Sequence, residues 1–201
     1  MDAFVKDGVL LKELKLLTGL MRTERATHLE LGRFAGMSPA MVNNYMARFR
    51  DRGYVRRVGA SNRASFYKLT EEGANYRERL LVDYNAELIR LYKTARHEIA
   101  SRIEVLLGRE PLRICLCPAG DTAEVVLSVT SEFPNIFVVA VLDDSPDKQC
   151  SGFMGYRVAP FEELASIQSD GALVATISFG DLIEKRVREL AGGSVRVWRL
   201  F

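Results

Sequence analysis

Hydrophobic and polar positions follow one period up to about residue 107 and another beyond residue 112. In the first part, apolar side chains recur every three or four residues, the spacing of amphipathic helices. Val9, Leu10, Leu11, Leu14, Leu16, Leu17 and Leu20 predict a first helix. Leu31, Phe34 and Ala35 predict the inward stripe of a second, which begins at Thr27. Glu30 follows three residues later, where hydroxyl and carboxylate can each satisfy a free amide of the helix start. Gly36 permits a sharp exit and Met37 plugs the turn. Ser38 and Pro39 open a third helix, which runs to about Arg52 and is closed by Gly53. Val42, Met46 and Phe49 are its inward positions, leaving Ala40, Met41, Asn43, Asn44, Arg48 and part of Tyr45 outside.

Two β-prone runs come next, Tyr54 to Val58 and Ser65 to Leu69, and predict a hairpin with Arg63 near its tip. Thr70 then caps a long helix carrying Leu80, Leu81, Tyr84, Leu88, Leu91, Tyr92, Ala95, Ile99, Ile103 and Leu106. That stripe is too long for one small domain to cover. Gly108, Glu110 and Pro111 end it. Beyond them, strands at Leu112–Cys117, Ile136–Leu142, Ala172–Ile177 and Val195–Leu200 alternate with helices at Thr122–Phe133, Phe161–Ile167 and Leu182–Ala191. This alternation predicts right-handed crossovers and a small parallel, Rossmann-like sheet, so the fold class is α/β. The expected domains are residues 1–73, a long connecting helix over 74–111, and residues 112–201.

With 201 residues the chain can bury two small cores. Its net charge of +2 says little, whereas the distribution says more. Residues 1–70 carry 13 Lys and Arg against 6 Asp and Glu, net +7; residues 71–112 carry net −1 and residues 113–201 net −4. A basic first domain favours phosphate through counterion release, and an acidic last domain does not.

Helix, turn, helix and hairpin, closed by Leu69-Thr70-Glu71-Glu72-Gly73, resemble the winged helix-turn-helix of MarR-type and related bacterial transcription regulators over the first third of the chain. The resemblance implies a recognition helix in the major groove of double-stranded DNA and a wing on the neighbouring backbone or minor groove. Ser38, Ala40, Met41, Asn43, Asn44 and Arg48 then belong to the recognition surface, and Arg56, Arg57 and Arg63 to the wing. Asparagine amides suit adenine edges, and arginines suit phosphates or, at Arg63, the minor groove. Arg22 and Arg25 read either as phosphate contacts or as solvated loop charge. Such regulators use two half-sites, so the 74–107 helix is expected to form a homodimer; the other reading packs it between the two domains of one chain.

A second likeness spans most of residues 112–201. Cys117-Pro118-Ala119-Gly120-Asp121-Thr122-Ala123, Val141-Leu142-Asp143-Asp144-Ser145-Pro146, Gly155-Tyr156-Arg157-Val158 and Phe161-Glu162-Glu163-Leu164 are similar to a CoA-binding-like Rossmann family. That family includes the NADH-sensing Rex repressors and nucleotide-binding domains that accompany sugar-nucleotide dehydratases. It implies a cofactor site, for NAD(H) or another nucleotide, at Gly120, Asp121, Thr122, Asp143 and Asp144. Three residues bear on that site. Pro118 replaces the first fingerprint glycine, Asp121 puts a carboxylate where phosphate would bind, and Asp143 lies where an acid can accept from a ribose.

Cys115 and Cys117 share one face of a buried strand and read as core; with Cys150 they do not make a disulfide framework. His28 and His97 lack metal-ligand spacing. There is no Tyr-x-x-x-Lys pair and no nucleophile-base-acid set, so a regulator is expected rather than an enzyme. The rival readings are a small reductase or sugar-nucleotide enzyme with an appended winged helix, and a ligand-free DNA-binding scaffold. No leader and no apolar run of about 18 residues is present, which points to the cytoplasm and away from a membrane.

Overall fold

The computed structural model describes residues 8–23, 25–59, 66–193 and 195–201. It divides into two compact units, Met1–Arg90 and Leu91–Phe201.

In the first unit, α1 (Val9–Arg22), α2 (His28–Ala35) and α3 (Pro39–Asp51) precede an antiparallel hairpin of β1 (Val55–Val58) and β2 (Phe66–Leu69). The α2 start is the predicted reciprocal cap. The Thr27 amide donates to Glu30 Oε2 at 2.8 Å, and the Glu30 amide donates to Thr27 Oγ1 at 3.2 Å. At the α3 start the Met41 amide donates to Ser38 Oγ at 3.3 Å. Gly36 takes the left-handed φ of 67° that the turn requires. Leu16, Leu17, Leu31, Val42, Met46 and Phe49 form the core between the three helices. Two positions depart from the predicted stripes. Phe34 is 46% exposed, its ring under the Arg22 guanidinium, and Tyr45 is buried beneath Arg48. Val9 and Leu10, at the first turn of α1, are exposed as well.

The helix α4 runs over Glu71–Leu107, and its two halves serve different cores. Leu80, with half-buried Tyr76, Leu81 and Tyr84, packs into the first unit. Ile99, Ile103 and Leu107 pack into the second. Between them Val82, Leu88, Ile89, Leu91 and Tyr92 are 44–64% exposed.

The second unit holds a five-stranded sheet of β3 (Leu112–Cys117), β4 (Ile136–Leu142), β5 (Val158–Ala159), β6 (Gly171–Val174) and β7 (Arg196–Arg199). Every neighbouring pair is parallel, and the order is β5-β4-β3-β6-β7, the Rossmann-like arrangement with its reversal point between β3 and β6. Central β3 is buried on both faces, as a parallel strand covered twice must be. Ile114 and Leu116 pack with α4 and α5 (Asp121–Thr130). Cys115 and Cys117 face the other way, against α7 (Gly180–Ala191) and a 3₁₀ helix over Phe161–Ser166. Both are fully buried, and burial raises both thiols above the ordinary cysteine range, most of all Cys117, as suits core rather than a redox pair.

Two elements were not foreseen, α6 (Pro146–Ser151) and β5, and the predicted Phe161–Ile167 helix is the 3₁₀ segment. A six-residue helix and a two-residue strand are too short to set up a period. Among the described residues no helix is long and apolar enough to cross a membrane.

Candidate nucleic-acid interface

The face of α3 turned away from the core carries Ala40, Met41, Asn43, Asn44 and Arg48, all exposed, with the exposed Ser38 at its cap. Among the described residues neither Asn43 nor Asn44 spends its side-chain amide on a partner within the chain. Arg48 differs from them. Its Nη2 donates to Glu13 Oε1 at 3.2 Å, and its guanidinium lies 5.3 Å from the Tyr45 ring centroid. Arg50 pairs with Asp51 beside it at 3.2 Å.

The hairpin register separates the wing arginines Arg56 and Arg57. Arg56 lies directly opposite Lys68, and Arg57 opposite Tyr67. Neighbouring residues of a strand point to opposite faces, so Arg56 and Arg57 diverge. Lys68, which sequence reasoning did not select, joins Arg56 instead. Two cations paired directly across strands repel, and an anion placed between them would relieve that cost. Phe66 and Val58 share this face by alternation, and the Arg25 guanidinium sits 5.3 Å from the Phe66 ring centroid. The face is therefore basic, with Arg25, Arg56 and Lys68 on it. On the other face the Tyr67 ring stacks with His28 of α2, with centroids 5.8 Å apart. Arg63 lies outside the described residues.

Where wing, α3 and α4 meet, the chain is knotted by hydrogen bonds. Thr70 Oγ1 donates to the Gly53 carbonyl at 2.7 Å and accepts from the Gly73 amide at 3.0 Å. The Thr70 amide donates to the Tyr54 carbonyl at 3.0 Å. Tyr54 and Tyr76 stack with ring centroids 4.4 Å apart. Tyr76 donates to Glu13 Oε2 at 2.6 Å, and its hydroxyl is pushed up to about 12, first by burial and then by that carboxylate.

The residues predicted to hold a nucleotide lie after β3 and β4, at the end of the sheet where open α/β sheets take ligands. Gly120 is extended, and a Cβ on it would meet only open space. Asp121 is the exposed first residue of α5, and Thr122 follows half-buried. Asp143 is buried with its carboxylate occupied. Oδ2 accepts from the Ala119 amide at 3.0 Å and from Lys148 Nζ at 2.9 Å, and Oδ1 accepts from the Ser145 amide at 2.9 Å. Lys148 also reaches the Ala119 carbonyl. Asp144 accepts from the Phe161 amide at 3.2 Å and pairs with Arg186 at 2.6 Å. Both acids therefore fasten loops. Asp143 thus already accepts three hydrogen bonds, two at Oδ2 and one at Oδ1, and the Ala119 amide at the approach to α5 is used.

The family described as winged helix-turn-helix DNA-binding matches residues 11–56, which span α1 to the start of β1. Among solved structures, a MarR family transcription regulator is 23% identical and covers 44% of this chain and 60% of its own, with a TM-score of 0.38. MepR, a transcription regulator of the Staphylococcus aureus multidrug efflux pump MepA, is 14% identical over 41% of this chain and 63% of its own, with a TM-score of 0.36. The DNA-binding protein Sso10a-2 from Sulfolobus solfataricus is 15% identical over 44% of this chain and 92% of its own, also with a TM-score of 0.36. The chain thus spans less than two thirds of the first two. No curated protein matches it. An N-terminal winged helix-turn-helix fused to a parallel-sheet, Rossmann-like domain describes the architecture.

Proposed function

We propose that this chain is a sequence-specific, dimeric, DNA-binding transcription regulator. The observation that carries the reading is the outward face of α3, where Asn43 and Asn44 present unspent amides beside a positioned Arg48. A bidentate Asn–adenine pair discriminates by about 1–3 kcal/mol, so two such pairs could separate a preferred site from others by roughly 30-fold or more. The net +7 of residues 1–70 and the basic wing face of Arg25, Arg56 and Lys68 supply the sequence-independent attraction.

A second copy is proposed to cover the exposed apolar band of α4, which would set two recognition helices about one DNA turn apart. The C-terminal domain is proposed to sense a small ligand or to mediate assembly. Such a ligand would act only through differential affinity for two arrangements of the dimer. NAD(H) is a poor candidate because Asp143 is already engaged.

Fluorescence anisotropy with genomic DNA fragments at two salt concentrations tests this, comparing the wild type with Asn43→Ala plus Asn44→Ala, with and without NADH, NAD and sugar nucleotides. The wild type should prefer one fragment, and the double variant should lose most of that preference while keeping its salt-sensitive affinity. NADH and NAD should change neither. A wild type without DNA affinity at low salt would refute the regulator and make the winged helix a protein-contact module.

A further inference from the structure

We infer that Glu13 is a positioning residue for the recognition helix: its buried carboxylate orients Arg48 and withholds part of that arginine's charge from the DNA backbone, and so favours discrimination over indiscriminate affinity. The inference rests on the DNA-binding reading of α3.

Glu13 lies on the inward stripe of α1, in line with Leu16, Leu17 and Leu20 at three, four and seven residues' distance. The residue is 1% exposed. A leucine there would serve helix packing without the cost of burying a charge, so packing does not account for the acid. Its partners do. Oε1 accepts from Arg48 at 3.2 Å and lies 3.8 Å from Arg52 Nη1, while Oε2 accepts from Tyr76 at 2.6 Å. The carboxylate therefore ties α1 to the outward face of α3 on one side and to the start of α4 on the other.

Arg48 is held twice, by Glu13 at one nitrogen and by the Tyr45 ring at its face, yet 47% of its side chain remains exposed. A guanidinium fixed in plane presents its remaining donors in one direction, the condition for a bidentate contact with a base edge or a particular phosphate. An unheld arginine pairs with any phosphate that comes near, which adds affinity without sequence information. Glu13 holds Arg48 in the first condition.

The test uses the full chain and the anisotropy assay above. Glu13→Gln keeps the side chain's length and one acceptor but removes the charge. It should raise affinity for non-preferred fragments, steepen the salt dependence by about one released counterion, and lower the preferred-to-other ratio about tenfold. Arg48→Lys keeps the charge without the fork and should lose the same discrimination, and adding Glu13→Gln to it should lower the ratio no further. Tyr76→Phe removes only the other hydrogen bond and should leave ratio and salt slope unchanged.

A folded Glu13→Gln with wild-type ratio and slope overturns the inference, as does additivity of the two substitutions. If Glu13→Gln does not fold, Arg48→Lys decides, and undiminished discrimination overturns the inference. A wild type that binds no DNA at low salt fails differently and earlier, and the inference falls with the regulator.

Discussion

Replacing Gly73 with alanine separates the tertiary account of the first unit from a purely local one by the sign of the effect. Gly73 lies in the first turn of α4, where alanine should by helix propensity alone stabilise by about 1 kcal/mol. Here the added Cβ would stand 2.0 Å from the Tyr54 carbonyl oxygen and 3.0 Å from Leu69 Cδ1. Tyr54 cannot simply retreat. Its carbonyl accepts from the Thr70 amide, its ring stacks on Tyr76, and Thr70 Oγ1 is tied to Gly53. Overpacking costs about 1–3 kcal/mol, and a weakened hydrogen bond about 1 kcal/mol more. After the propensity gain, a net loss of about 2 kcal/mol is expected. Urea unfolding followed by far-UV circular dichroism and by fluorescence measures it. The chain's one tryptophan, Trp198, is on β7 and reports the second unit. The circular dichroism transition should begin at lower urea while the fluorescence midpoint stays in place. Gly120→Ala, whose Cβ meets open space at an extended backbone, should leave both curves unmoved. Stabilisation by Gly73→Ala would refute the packing argument.

Ile103→Ala should cost the second unit about 2–5 kcal/mol, because Ile103 is fully buried against the sheet, and should lower the Trp198 midpoint; an unmoved midpoint would show that α4 contributes nothing to that core. The Tyr76 hydroxyl titrates near 10 when unfolded and at about 12 when folded, so its neutral form favours the folded state below pH 10, and that contribution is lost as pH rises from 10 through 12. Stability should therefore fall more steeply over that window in the wild type than in Tyr76→Phe, and equal slopes would contradict the assignment. Leu88→Glu with Leu91→Glu places charge in the exposed α4 band. Sedimentation should show a monomer with weakened affinity for paired half-sites, and an unchanged dimer would place the interface elsewhere.

What the sequence made legible depended on whether a signal was local. The Thr27–Glu30 cap, the Ser38–Pro39 start and the buried run of β3 each lie within a few residues, and each forms as the residues predict. Phe34 departs from its stripe because its ring lies under Arg22, which comes from the end of α1, and Tyr45 because Arg48, one turn further along α3 itself, covers its ring. Lys68 was overlooked because its partnership with Arg56 exists only once the hairpin register is known. Glu13 carried a readable signal, an acid in line with three leucines of a helix stripe, although its partners lie 35 and 63 residues away. Asp143 shows the limit from the other side. A carboxylate after the second strand of a parallel sheet fits a ribose, and only the three donors around it show that it holds a loop.

That last point separates fold from function in the C-terminal domain. Strand order and parallel pairing put a reversal point between β3 and β6, the place where such sheets take ligands, and this follows from topology whatever side chains stand there. A dinucleotide needs more from the same place: amides free at the start of α5, no competing carboxylate, and an acid with open lone pairs. Here the Ala119 amide is used, Asp121 brings its own charge to the phosphate position, and Asp143 already accepts three hydrogen bonds, leaving room for at most one more. The latch also has a positive use. By binding the Ala119 amide with its Asp143 carboxylate and the Ala119 carbonyl with Lys148, the chain fixes the loop that leads into α5 without any ligand. A ligand at this loop would therefore have to act by breaking the latch rather than by ordering the loop. This favours an assembly role for the domain over nucleotide sensing.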